Sequence, residues 1–330
     1  MNLAIVILNW NGKELLAKFL PSVIEHSATA QIYVADNASN DGSIPYLKDQ
    51  FPRIHLIENP TNGGYANGYN MSLKQIEADV YCLLNNDVEV TANWLDPIFD
   101  IFKKEPTTAI VQPKILDFNN KDTFEYAGAA GGFIDKYGFP FCRGRIFNTL
   151  EIDEGQYHDN ADIFWASGAC MFIRKNVFDE LNGFDGSFFA HMEEIDLCWR
   201  ARNLKYNVKY VADSKVYHVG GATLTNTNPQ KTYLNFRNSL FMLVKNLPTN
   251  KLVSVLFVRL FQDGIAGLRF ILRFQFIHFF AVLRSHFSFY MQLIRRIRSR
   301  NSELKIEKYY KTKSIVWSYF INKKSVFNRL

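Results

Sequence analysis

Cysteine is sparse and scattered in this chain. There are four, Cys82, Cys142, Cys170 and Cys198, and no two form a CxxC pair. That argues against a zinc site or a disulfide framework and fits a reducing compartment. No stretch approaches the ~20 charge-free apolar residues that a membrane-spanning helix needs. Met1 to Trp10 has no basic leader before its short apolar run, so a secretory signal is not expected and the chain is placed in the cytoplasm. GxGxxG and the Walker lysine are both missing, which disfavours hydride chemistry and ATP hydrolysis. What is present is a core-forming composition: 330 residues, 48% hydrophobic and 21% charged. Such a chain folds around one large core or two smaller ones. The 29 Phe are conspicuous in the last third. The formal net charge is +6, and its excess is concentrated near the C-terminus. That points to a local anionic partner rather than a uniformly basic surface.

The first hundred residues alternate apolar runs with polar loops. Leu3 to Leu8 (LAIVIL) has the continuous aliphatic character of a strand buried on both faces. Asn9-Trp10-Asn11-Gly12 turns the chain, and Lys13 to His26 carries Leu15, Leu16, Phe19, Leu20, Val23 and Ile24 at helical spacing. Gln31 to Ala35 is the next strand, ending in Asp36-Asn37-Ala38-Ser39-Asn40-Asp41-Gly42. Ile54 to Ile57 is a third, followed by Asn59 to Asn70 (NPTNGGYANGYN) and a helix expected to run through Asp79. The fourth apolar run, Tyr81 to Leu84, stops abruptly at Asn85-Asn86-Asp87. Strand, loop and helix in repetition predict an α/β sheet whose strand ends share one rim. Four polar loops then converge there.

Each loop has a chemical use and a structural one. Asp36 suits hydrogen bonds from a base or a ribose, or equally an Asx-turn. The glycines at 63 and 64 permit close backbone approach at a helix start, which favours anions. One carboxylate beside two amides, in Asn85-Asn86-Asp87, suits a hard divalent cation or an ordinary polar turn.

The ordered set VILNWNG, VADNASNDGS, NPTNGGYANGYN and LLNNDV resembles the GT-A glycosyltransferases of family 2, inverting enzymes that use nucleotide-sugar donors. The resemblance covers about Met1 to Leu247. It implies an α/β fold: a mixed, Rossmann-like sheet flanked by helices, with a nucleotide-binding half over 1–110 and an acceptor half over 111–247. It also implies a divalent cation, Mg2+ or Mn2+, and a UDP- or dTDP-sugar donor. On this resemblance, Leu8, Asn9, Asn11, Asp36, Asn37, Asn62, Gly63, Gly64, Asn67 and Asn86 line the nucleotide-sugar, and Asp87 with Asn85 meets the metal. One departure stands out. Where many relatives carry Asp-x-Asp, this chain has Asn85-Asn86-Asp87.

The second half carries the chemistry. Phe124 to Phe147 is rich in glycine and aromatics and reads as a loop or short hairpin able to cover a sugar. Phe164 to Lys175 is strand-like but interrupted at Ser167-Gly168-Ala169, where a glycine lets a ligand approach the backbone. Trp165, Ser167 and Gly168 are therefore candidate acceptor contacts. Glu193, Glu194 and Asp196 open a helix, where acidic groups also serve as caps. Three carboxylates in four residues repel one another, which raises a pKa towards that of a base. The segment resembles the family's Glu-Asp-x-Asp motif, in which the second acidic residue is the general base. That assigns the base to Glu194, with Asp196 as a supporting group and Glu193 as the lesser candidate. Glutamate in place of aspartate displaces the carboxylate by roughly 1.5 Å. In the same resemblance His218, within VYHVGGAT, joins the metal site. Arg237, within YLNFRN, reaches the diphosphate, a surface salt bridge being its alternative.

Lys251 to Arg300 differs in kind. It is dominated by Phe, Leu, Ile and Val with interspersed arginines. On one continuous helix Arg259, Arg269, Arg273 and Arg284 fall within an arc of about 80°. Basic residues over a broad apolar surface describe an interfacial segment on an anionic membrane, here the inner face of the cell membrane. A helical pair packed on the catalytic domain or on a second copy, as a homodimer, is the competing reading. Nucleic acid is not expected as a partner. Residues 248–300 are thus set apart as a membrane-associating segment, and 301–330 as a polar, basic tail. The expected reaction is inverting sugar transfer to a glycan or lipid-linked acceptor in surface polysaccharide synthesis, a rhamnosyltransferase being the nearest sub-type by overall look. Nucleotidyl transfer and non-catalytic nucleotide-sugar or lipid binding are the rivals.

Overall fold

The computed structural model describes residues 1–220, 228–300 and 305–330. The first half lays down β1 (Leu3–Asn9), α1 (Lys13–His26), β2 (Gln31–Asp36), α2 (Ser43–Gln50), β3 (His55–Glu58), α3 (Gly64–Leu73) and β4 (Val80–Asn85). Because LAIVIL is apolar on both faces, β1 is buried throughout. It lies between β2 and β4, parallel to both, and β2 pairs in parallel with β3. The register sets Asn9 beside Asp36 and Leu8 beside Asn85. The rim expected from the sequence is therefore formed by the C-terminal ends of these strands. α3 ends at Leu73 rather than continuing to Asp79.

The next elements are β5 (Val88–Val90), α4 (Asp96–Lys104), β6 (Thr108–Asp117), β7 (Gly132–Ile134), β8 (Pro140–Cys142), β9 (Arg145–Ile146), β10 (Thr149–Leu150), β11 (Ala161–Asp162), β12 (Cys170–Arg174), α5 (Lys175–Glu180), α6 (Glu193–Asn203) and β13 (Asn207–His218). β12 runs antiparallel between β4 and β6, so the sheet is mixed. Its order is β11-β13-β6-β12-β4-β1-β2-β3, with β5 paired to β13. That last pairing sets His218 opposite Val88, one residue from Asp87. The aromatic-rich stretch forms β7 to β10, a separate four-stranded antiparallel sheet.

Among the described residues the α-helices that follow are α7 (Pro229–Asn246), α8 (Thr249–Leu272), α9 (Phe276–Arg298) and α10 (Ile315–Phe320). α8 and α9 form a helical hairpin against α7. Its inner face buries Leu252, Val255, Ala281, Val282 and Phe289. Its outer face exposes Phe257 at 75%, Phe261 at 67% and Phe280 at 64%, together with Val253, Leu268, Leu272, Ile277, Phe287 and Met291. Among the described residues no helix is long and apolar enough to cross a membrane.

Two expectations for this region are corrected. Arg259 does not belong to an outward basic stripe: it is buried and donates to Asp263 and Ser239, each at 2.8 Å. A helix break at Arg273–Gln275 ends the continuous helix on which the arc was drawn. Nor are residues 305–330 a solvated tail. Tyr309 is buried with its ring stacked on Trp199 at 5.0 Å, and Phe327 packs on Phe133 at 5.1 Å. The backbone N–H of Ile315 donates to buried Asp135 at 3.0 Å. Aromatic and aliphatic residues dispersed among the lysines supply this anchoring, which the mean polarity of the segment conceals.

Candidate active site

The polar loops at the rim hold one another. Asn9, fully buried, donates to Asp36 at 3.0 Å and accepts from Asn86 at 2.9 Å. Asp36 also accepts from the backbone of Ser39 at 2.8 Å. The backbone of Asn11 donates to Ser39, and Asn11 accepts from the backbone of Asn40, each at 2.8 Å. Asn37 donates to Asn62 and to the carbonyl of Gly64, at 3.0 and 2.9 Å. Leu8 packs beside Gly68 of α3. Asn9, Asn11, Asp36, Asn37, Asn62 and Asn86 are thus brought together, largely by hydrogen bonds to each other. Gly64 has a stricter reason than ligand approach. Its φ is +67°, and a Cβ there would collide with the carbonyl of Phe189. Gly63 lies against Asn67, whose amide donates to the carbonyl of Gly186 at 3.4 Å. This loop therefore clamps a second loop, residues 186–192.

The strand ends also unite Asp87 and His218. The Asp87 carboxylate lies 3.1 Å from His218 Nε2, and the Asn85 amide lies 3.2 Å from the same atom. On the other side of the ring, Glu125 is 3.4 Å from Nδ1, close enough for an ion pair, though Nδ1 has no aligned hydrogen-bond partner among the described residues. Burial alone would push the His218 pKa down, but Glu125 and Asp87 outweigh it and hold it up at about 10. Burial likewise opposes charge on Asp87, and the facing imidazolium prevails, keeping its carboxyl below the ordinary range. Among the described residues no three His, Cys, Asp or Glu side chains form a ready-made metal cluster. The donor set still fits a divalent cation: carboxylate oxygen, imidazole nitrogen and amide converge, with an orphaned ring nitrogen and a second carboxylate behind them. Sequence reasoning missed Glu125. Its only signal was an acid at the start of the glycine-rich run that precedes Asp135.

The acidic helix is presented by a strained loop. Phe189, His191 and Met192 all have positive φ, at 65°, 71° and 73°, a conformation that persists only when its surroundings enforce it. The enforcing groups come from α7. Asn238 Nδ2 donates to the carbonyls of Phe188, Ala190 and His191 at 2.8 to 2.9 Å. Arg237 donates to the carbonyls of Ser187 and Phe188, at 3.0 and 3.2 Å. Arg237 also donates to Asn238 and Tyr233. Its guanidinium thus ties this loop to α7, and among the described residues it makes no salt bridge. From the far side Arg296 of α9 reaches Asp185 at 3.1 Å.

The three acidic residues separate into distinct roles. Asp196 is fully buried and accepts from Arg200, Lys245 and Asn246 at 2.7 to 2.9 Å. It anchors α6 to α7. Among the described residues, Glu193 and Glu194 each retain one buried carboxylate oxygen without a partner. Burial pushes the Glu194 carboxyl up to about 7. Burial and the adjacent Glu194 raise Glu193 well above the carboxylate range. Tyr65, which senses both glutamates, donates to the carbonyl of Gly168 at 2.8 Å. Gly168 is accordingly near the site, but two other acceptor candidates are corrected. Trp165 is buried, flat against Gly132, with its indole N–H donated to the carbonyl of Phe133 at 2.9 Å. Ser167 is buried, its backbone N–H donated to Gln112 at 2.8 Å.

With this geometry in view, comparison with known proteins is specific. The family described as Glycosyl transferase family 2 matches residues 4–182. A low-salt glycan biosynthesis hexosyltransferase of Haloferax volcanii is 26% identical over 243 residues, covering 72% of this chain and 74% of that protein. An N-acetylglucosaminyl-diphospho-decaprenol L-rhamnosyltransferase of Mycobacterium tuberculosis is 25% identical over 235 residues, covering 66% and 75%. Among solved structures, GalNAc-T7 with UDP, GalNAc and Mn2+ matches with a TM-score of 0.59 at 16% identity. That match covers 76% of this chain but only 49% of GalNAc-T7. A mannosyltransferase of Pyrobaculum calidifontis in complex with GDP-Man and Mn2+ matches with a TM-score of 0.53 at 12% identity, covering 88% of this chain and 87% of that one. At such identities the structural likeness is one of fold, the GT-A glycosyltransferase fold.

Proposed function

Because the chain belongs to glycosyl transferase family 2, we propose that it transfers a sugar from a UDP- or dTDP-sugar, with inversion, to a hydroxyl of a saccharide carried on a lipid diphosphate. The observation that carries this reading is the Glu194 carboxyl: raised to about 7, with an orphaned oxygen, in the first turn of α6 behind a loop held by α3, α7 and α9. A group so placed is half ionised near neutrality, and among the described residues one of its oxygens is unpaired and open to an acceptor hydroxyl. Glu194 takes the hydroxyl proton as that oxygen attacks the anomeric carbon from the face opposite the nucleotide. Burial and the neighbouring Glu194 raise the Glu193 carboxyl as well, so the two glutamates resist carrying two charges together.

The donor lies along the rim, its nucleoside against the Asn9–Asp36–Asn86 network. Asp87, His218 and Asn85 would hold a divalent cation, with Glu125 orienting the imidazole. When bound, such an ion neutralises charge on the departing diphosphate. The relatives support this assignment by chemistry: one acts on a diphospho-decaprenol-linked sugar, and Mn2+ accompanies nucleotide or nucleotide-sugar in two neighbours. The helical hairpin rests its apolar outer face on the cytoplasmic leaflet. Full burial of a Phe side chain is worth about 1.5–3 kcal/mol, so partial insertion of several suffices for peripheral attachment.

Thermal shift with UDP- and dTDP-sugars, with and without Mn2+, tests the donor site. Turnover with a lipid-diphosphate saccharide tests the reaction. The expected result is metal-dependent stabilisation in wild type and in Glu194→Gln, with turnover in wild type alone. Asp87→Asn should abolish the metal-dependent stabilisation. Full transfer activity in Glu194→Gln would sink the base assignment.

A further inference from the structure

Between the helical hairpin and α7 lies a cavity of about 610 Å³ that no step above uses. Lys231 of α7 and Arg269 and Arg273 at the end of α8 supply its charge, and Phe147, Phe270 and Phe320 are among its aromatic walls. None of its described lining residues is acidic. Three cations on aromatic walls suit a multiply charged anion that carries an apolar group, since guanidinium binds phosphate oxygens in pairs and also stacks on rings. The walls are already braced. The Arg269 guanidinium stands 5.3 Å over the Phe320 ring. Phe270 stacks on His278 at 5.3 Å, and His278 meets Thr232 across 2.8 Å.

The position of the cavity is as informative as its lining. At its inner end Lys231 is within electrostatic range of Glu125, the carboxylate behind His218, and of His191, two residues before Glu193. At its outer end lie Leu268 and Leu272 of α8 and Phe274 in the turn that follows it, which are 55%, 71% and 82% exposed. One end thus adjoins the reaction centre and the other the apolar face.

We propose that this cavity binds the diphosphate and the first hydrocarbon units of the amphiphilic acceptor, through Arg269, Arg273 and Lys231. The saccharide end points inward to Glu194, and the hydrocarbon leaves over the exposed edge of the hairpin. This assignment rests on the transfer reading given above and names the acceptor's binding site.

Farnesyl diphosphate is a usable probe, titrated calorimetrically into the full chain in detergent with no sugar donor present. Wild type should bind it, and R269Q/R273Q should bind it at least about tenfold more weakly, the loss of two charge-assisted contacts. UDP affinity in Mn2+ should be equal in both proteins, since neither arginine lies on the rim. Farnesol and inorganic diphosphate should each bind wild type more weakly than farnesyl diphosphate. Equal farnesyl diphosphate affinity in wild type and variant overturns the proposal. So does competitive displacement by UDP, or inorganic diphosphate binding as tightly as the amphiphile. The two readings fail separately. Unchanged acceptor KM in R269Q/R273Q, with turnover still dependent on Glu194, removes the cavity assignment alone. Arginine-dependent binding of the probe by a wild type that turns over no lipid-diphosphate saccharide removes the acceptor reading and leaves the cavity an anionic-amphiphile site.

Discussion

Glu194 titrates where most carboxylates are already charged. A base works only when ionised, so kcat/KM should rise with pH through about 7 and level off above it. In Glu194→Gln that limb should vanish with a fall of about 10²–10⁴-fold. Stability should move the other way. The folded pKa lies above the ~4.3 of an unfolded glutamate, so folding favours the protonated form. That contribution is present at low pH and is lost as pH rises towards 7. Glu194→Gln should therefore melt higher than wild type at pH 8, a difference that shrinks at pH 5. The sequence disclosed the residues that strand ends deliver: Asn9, Asp36, Asp87 and His218 each terminate or follow an apolar run. It did not disclose what the interior consumes. Trp165 reads as an acceptor contact, yet its ring fills space beside Gly132. Glu125 was hidden because it precedes a turn rather than ending a regular strand.

At the scale of elements, the loop that precedes Glu194 is held by contacts distant in sequence. Asn238 alone holds three of its carbonyls. Asn238→Ala should cost about 1–3 kcal/mol of stability, the penalty for leaving buried polar groups unpaired. Turnover should fall further than the loss of folded protein explains, read as kcat per folded molecule. Gly64→Ala should be worse for activity, because the left-handed backbone and the collision with Phe189 both act on that loop. The first four strands, though not their order in the sheet, followed from apolar runs, which report burial directly. The small sheet β7 to β10 did not, since two- and three-residue strands leave no alternation to read. The inward face of α8 was misjudged for a related reason. Arg259 reads as exposed until Asp263, one turn later, is seen to neutralise it.

The whole molecule has one unusually apolar side, and the described residues provide no cover for it. Exchanging Phe257, Phe261 and Phe280 for Ser should leave the melting temperature nearly unchanged, as these rings are already exposed. It should release the protein from anionic vesicles in a co-sedimentation assay. If instead the substitutions convert a dimer into a monomer and leave vesicle binding intact, a second copy covers this face. The same hairpin reaches into the reaction centre from behind. Arg296 grips Asp185, and its guanidinium lies 4.1 Å over Phe241. Asp185 and Asp196 share Lys245. Cutting the chain after Leu247 would therefore do more than make it easier to handle. It would withdraw a cation from an acidic pair, leave Ser239 without Arg259 and loosen the strained backbone that presents Glu194. A shortened protein that still bound nucleotide but had lost turnover would be reporting the missing brace, and its inactivity would say nothing against the chemistry of the rim.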